Sequence, residues 1–145
     1  MHINEPQTAM DRLRQVFAET SELAFAVLIG SRANQSAREG SDWDIVVLWN
    51  LADRSADIPS PTRASSSLSR FGRHEVLRSR LAQCLNVDDE KIDLIDLSSA
   101  RLAMKAVVVE EGIVVYLKDD LAWAHFQTAT WRELEDHYWD RAHAA

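Results

Sequence analysis

The sequence predicts a mixed α/β (α+β) domain, one small sheet of about four strands flanked by helices. Three observations predict it. Apolar runs of strand length occupy residues 23–29, 43–49 and 113–117, and residues 91–97 alternate strictly between apolar and polar. Between these runs lie segments whose apolar residues recur at helical spacing. The two kinds of segment alternate along the chain, the order expected when helices cover the faces of one sheet.

Each element follows from its residues. Asn4 can cap a first helix with Pro6 in its first turn, and Leu13, Val16 and Phe17 give that helix an apolar face. Leu23 to Ile29 reads as a buried strand, Gly30 to Ala37 as a turn with a short helix, and Trp43 to Trp49 as a second strand. From residue 50 to about 69 the composition shifts to Pro59, Pro61 and Ser65-Ser66-Ser67, the signature of a loop. A helix follows Gly72, with Leu77, Leu81, Cys84 and Leu85 on one side. In the strand Lys91 to Leu97, one face carries Ile92, Leu94 and Asp96, the other Asp93, Ile95 and Leu97. Ser98 is placed to cap the next helix, whose buried stripe would be Leu102, Ala103, Ala106 and Val107. Gly112 would end it in a left-handed conformation. Ile113 to Leu117 is a short strand, and a final helix starts near Asp119 or Asp120 and runs towards Arg141.

Composition narrows the function. The 145 residues, 46% hydrophobic and 27% charged, fit one ordinary globular core. A formal charge of −7 argues against direct nucleic-acid binding over a broad surface, which needs basic residues. Cys84 is the sole cysteine, so no internal disulfide forms, and no apolar run approaches the roughly 20 residues that span a bilayer. A cytoplasmic protein without membrane contact is expected. Cys84 sits in an apolar helical stripe, and His2, His74, His125, His137 and His143 lack metal-ligand spacing, so neither type supplies a nucleophile or a metal cluster.

The chemistry gathers instead around Gly30-Ser31, followed ten residues later by Asp42-Trp43-Asp44. Side chains alternate along a strand, so Asp42 and Asp44 share a face and repel each other unless a cation lies between them. Mg²⁺ is the usual solution, because it takes carboxylate oxygens together with phosphate oxygens. A Gly-Ser turn that opens a helix offers free backbone N–H groups to phosphate. A third acid, Asp93 or Asp96, lies on another strand, and alternation lets at most one of them serve. Arg32 is a second candidate contact to phosphate and equally a solvated turn residue.

The pattern Gly30-Ser31-x10-Asp42-Trp43-Asp44 resembles the signature of the DNA polymerase β-like nucleotidyltransferases. KIDLIDLSSA resembles the third-carboxylate strand of that family, and residues 101–123 resemble its ending of helix, short strand and helix. The small size is similar to that of the minimal nucleotidyltransferases, the antitoxin partners of HEPN-domain ribonuclease toxins. The resemblance implies a single minimal nucleotidyltransferase domain over residues 1–145 with the polymerase β-like fold. It implies a Mg²⁺-dependent transfer of AMP from ATP to a toxin tyrosine, with pyrophosphate released. Asp42, Asp44 and Asp93 would be the catalytic and metal-binding acids, Asp93 being favoured because it comes first in the matching strand. Gly30, Ser31 and Arg32 would bind the nucleotide. The HEPN toxin would be the partner in a hetero-oligomer. Two other readings are an antitoxin that masks its toxin by contact alone and a small-molecule transferase of the aminoglycoside-modifying type; the latter usually adds a domain for which little chain is left.

Two features bear on partners. Five arginines (Arg63, Arg70, Arg73, Arg78, Arg80) against one acid, Glu75, suggest either a solvated helix face or a mobile basic flap. On the last helix Trp123, Phe126, Trp131, Leu134, Tyr138 and Trp139 spread too widely for one buried stripe, so some must face outward, where such residues anchor interfaces.

Overall fold

The computed structural model describes residues 5–38, 40–50 and 70–143, with side chains from residue 9 in the first helix and from residue 72 in the second. The proline- and serine-rich segment and Asn4 lie outside the described residues.

Four α-helices and a four-stranded mixed sheet make up the described chain: α1 (Glu5–Ala18), β1 (Leu23–Ile29), β2 (Trp43–Trp49), α2 (Arg70–Leu85), β3 (Ile92–Asp96), α3 (Leu102–Glu111), β4 (Ile113–Leu117) and α4 (Asp120–His143). The sheet order is β3-β2-β1-β4. β1 runs antiparallel to both β2 and β4, while β2 and β3 are parallel. Parallel neighbours need a crossover, and α2 supplies it.

All seven residues of β1 are buried, which explains why its sequence does not alternate: it is covered on both faces. One face of the sheet meets α1 and α2, where Leu13, Phe17, Leu77 and Leu81 pack on Leu28, Ile45, Val47 and Leu94. The other meets α3 and α4, where Val108, Trp123 and Phe126 pack on Phe25, Val27 and Val46. The Phe25 ring lies against Trp123 and Phe126 of α4, edge-on to Trp123 at 5.0 Å between centroids.

Several expectations are corrected. Gly72 lies inside α2, which begins at Arg70. The third strand stops at Asp96, and Leu97–Ser99 form a 3-10 turn. Ser98 does not cap α3: its N–H and hydroxyl both donate to the Asp96 carboxylate, at 3.0 and 2.7 Å, which tightens the turn and delays the helix to Leu102. The buried residue of α3 is Val108, flanked by Met104 and Val107, while Ala103 is exposed. Periodicity located the helix but not its rotation about its axis. Gly112 is extended, with φ −72°, not left-handed. It is small for another reason: a Cβ there would collide with Val27 and with the Val108 carbonyl oxygen, where α3 turns closely over β1.

The described arginines of the basic segment fasten the scaffold. Arg73 pairs with Glu22, and Arg80 pairs with Glu19 at 2.8 Å, so α2 is tied to the end of α1. The Nε of Arg78 donates to the Ile92 carbonyl at 2.9 Å, at the start of β3. His74 is equally structural: its Nδ1 accepts from the Trp49 indole and its Nε2 donates to the Leu94 carbonyl.

Candidate active site

At the edge where β1 ends and β2 and β3 begin, three features of the sequence come together. β1 terminates in a 3-10 turn, Gly30–Arg32, whose first residue has φ +74°. That conformation favours glycine, and a second constraint reinforces it. The Asp44 carboxylate lies so close to Gly30 that a Cβ there would collide with Oδ2. Gly30 is therefore the floor on which Asp44 rests.

The parallel register sets Asp44 opposite Asp93. Directly paired residues on neighbouring strands project from the same face of a sheet. The two carboxyl groups face each other there, on the α3/α4 face. Burial holds the Asp44 carboxyl above the ordinary carboxylate value of 3.8; the neighbouring Asp93 carboxyl and the charge of Asp42 push it further the same way. Asp96 lies at the far end of β3, where its side chain accepts from Ser98.

Asp42 precedes β2 and is exposed. Its Oδ1 lies 3.9 Å from the Lys91 ammonium, which also donates to the Gly40 carbonyl at 3.0 Å. Among the described residues, no three acidic, histidine or cysteine side chains are drawn to one point at metal-ligand distance. The set consists of two carboxyls in contact, Asp44 and Asp93, with Asp42 beside them and held by Lys91. Crowded hard oxygen donors, one carrying an elevated pKa, fit a divalent cation such as Mg²⁺, which would relieve their repulsion.

The Arg32 guanidinium stacks 4.5 Å over the Trp43 ring and donates to the Ser41 carbonyl at 2.9 Å. Trp43 and Asp44 project to opposite faces of β2, so this guanidinium braces the loop from below the acids. Its Nε is buried without a partner among the described residues. Ser31 follows Gly30 in the turn and is half-buried. Lys91, beside Asp42, ends a 3-10 turn (Asp89–Lys91) directly before β3, two residues ahead of Asp93; the sequence pattern pointed to Asp42 and Asp93 but not to this lysine.

Cys84 packs at the margin of the α1/α2 core, and burial pushes its thiol pKa up, the opposite of what a nucleophile needs. On α4, Trp123 and Phe126 are committed to the core, but Trp131, Tyr138 and Trp139 are 43%, 61% and 64% exposed.

A glycine turn thus ends one strand, two acids enter the next, and a third lies beside them on a parallel strand. The sequence profile of the polymerase β nucleotidyltransferase family matches residues 11–121, and the chain belongs to that family. Among solved structures, the fold is similar to a toxin–antitoxin with AMP-PNP (TM-score 0.65, 21% identity, 92% of each chain covered). It is also similar to a chain of the tri-AMPylated Shewanella oneidensis HEPN toxin in complex with MNT antitoxin (TM-score 0.62, 20% identity, 94% of this chain and 92% of that one). A third match is the toxin–antitoxin MntA-HepT (TM-score 0.61, 20% identity, 94% and 92%). At these identities the likeness is one of fold. No curated protein matches the chain in sequence. Among the described residues no helix is long and apolar enough to cross a membrane.

Proposed function

We propose that the protein is a minimal nucleotidyltransferase antitoxin that transfers AMP from ATP to a tyrosine hydroxyl of a HEPN ribonuclease toxin. The observation that carries this reading is the contact of Asp44 with Asp93 above Gly30, with Asp42 on the same side. The resemblance in fold to antitoxin complexes, one with AMP-PNP and one with an AMPylated toxin, supports the choice of ATP and of a protein acceptor.

In this reading Asp42 and Asp44 would hold Mg²⁺ together with the triphosphate, and Asp93 would complete the set. When bound, the cation neutralises the phosphate charge and stabilises the attacking and leaving oxygens. Gly30 lets backbone approach the phosphates, and the Ser31 hydroxyl and N–H donate to a phosphate oxygen. Asp93 would take the proton of the tyrosine hydroxyl. The tyrosine oxygen then bonds to the α-phosphorus as the bond to the β-phosphate oxygen breaks, and pyrophosphate leaves. Such transfer rests on positioning and charge neutralisation, so few catalytic side chains are needed. The added AMP brings negative charge and bulk to the toxin, which would repel an RNA backbone.

The exposed Trp131, Tyr138 and Trp139 on α4 support a second reading, in which contact alone masks the toxin. One experiment separates the two. The chain, ATP, Mg²⁺ and the toxin are incubated and the toxin is weighed by intact-mass spectrometry. Transfer requires a toxin heavier by one or more AMP units with the native chain and not with Asp42→Asn. An unchanged mass in both refutes it, and neutralisation that survives Asp44→Ala favours masking.

A further inference from the structure

We propose that Lys91 is a built-in counter-charge of the acidic site, which holds Asp42 until a divalent cation displaces its ammonium. The proposal rests on the metal-binding reading given above. The β2–β3 ladder starts at the pair Trp43–Ile92, and just beyond it Asp42 precedes β2 while Lys91 ends a 3-10 turn, Asp89–Lys91, that leads into β3. The two side chains meet there, with Nζ 3.9 Å from Asp42 Oδ1. Among the described residues this is the ion pair made by the three acids with a basic side chain.

An ammonium at that distance and a divalent cation on the same carboxylate repel each other, so the two compete for Asp42, by an amount that solvent screening keeps modest. Lys91 has somewhere to go. Its side chain also lines a cleft of about 360 Å³ together with Arg32, Ser41 and Asp88. Its bond to the Gly40 carbonyl, at 3.0 Å, is made on the wall of that same cleft. The ammonium can keep this bond, release Asp42 and move towards Asp88. Lys91 is thus a positioning residue: it keeps the Asp42 loop beside β3 and sets how tightly the empty acid set accepts a cation.

Mn²⁺ titrated into the full chain without nucleotide, followed by calorimetry, tests this. Lys91→Met removes the competitor and should bind Mn²⁺ about three- to fivefold more tightly than the native chain, the size expected for a half-exposed pair. Lys91→Arg keeps the charge and should bind as the native chain does. Equal or weaker binding by both Lys91→Met and Lys91→Gln overturns the proposal, because a merely structural lysine would weaken the site when lost. Asp44→Asn distinguishes the two levels of argument. If the native chain binds Mn²⁺ and Asp44→Asn does not, the metal site stands whatever Lys91 does. If the native chain binds none, the metal reading and this proposal fall together.

Discussion

Asp44 rests directly on Gly30, its Oδ2 filling the space a Cβ would take, at a residue that is itself left-handed. Any side chain at position 30 therefore meets two penalties. Gly30→Ala should lower stability by about 1–3 kcal/mol through backbone strain and push Asp44 off the face it shares with Asp93. A melt records the first effect. Loss of Mn²⁺ binding records the second, and undiminished binding would show that Asp44 does not need that floor.

Asp44 itself is costly to the empty protein. Folding raises its pKa, so the folded state keeps the proton to higher pH than the unfolded chain does. The favourable contribution is present below the ordinary value of 3.8 and is lost as pH rises through the raised one. Asp44→Asn, which cannot ionise, should accordingly melt roughly 1–3 °C above the native chain at neutral pH without divalent ions. That gain should vanish in melts near pH 4. With Mg²⁺ and ATP the order should reverse, because ligand stabilises the native chain alone. A variant that melts lower than the native chain at pH 7 without metal would contradict the repulsion.

Gly112 offers a control away from the site. A Cβ there meets Val27 and the Val108 carbonyl, and its φ of −72° carries no strain, so the cost is purely one of space. Gly112→Ala should destabilise by about 1–3 kcal/mol, measured by denaturant unfolding. Mn²⁺ affinity should stay at the native value where the chain remains folded.

The outer half of α4 should act on partners and not on folding. Trp131, Tyr138 and Trp139 are exposed, whereas Thr130 and Leu134 of the same helix are buried. Replacing Tyr138 and Trp139 with alanine should leave the melting temperature within about 1–2 °C. Under the proposed function it should weaken toxin binding about tenfold or more, measured by calorimetry. Unchanged affinity would move the interface elsewhere.

Sequence alone determined β1, β2 and β4 to the residue, because each is a bounded apolar run whose ends are set by charged, polar or glycine residues. It also proposed Gly30, Asp42 and Asp44 as site residues from a local pattern, and it foresaw that aromatic residues of the last helix would be left outside. What tertiary structure decided lies between elements. The β2–β3 register puts Asp93, and not Asp96, directly opposite Asp44. The 3-10 turn before β3 brings Lys91 to Asp42. Close passage of α3 over β1, not backbone handedness, accounts for Gly112. The arginines of α2 read as free charge until the carboxylates of Glu19 and Glu22 are found beside them. Periodicity along one segment records only the direction in which a side chain leaves its own backbone; what it meets there depends on how strands pair and helices dock, and those distances exist only in the folded chain.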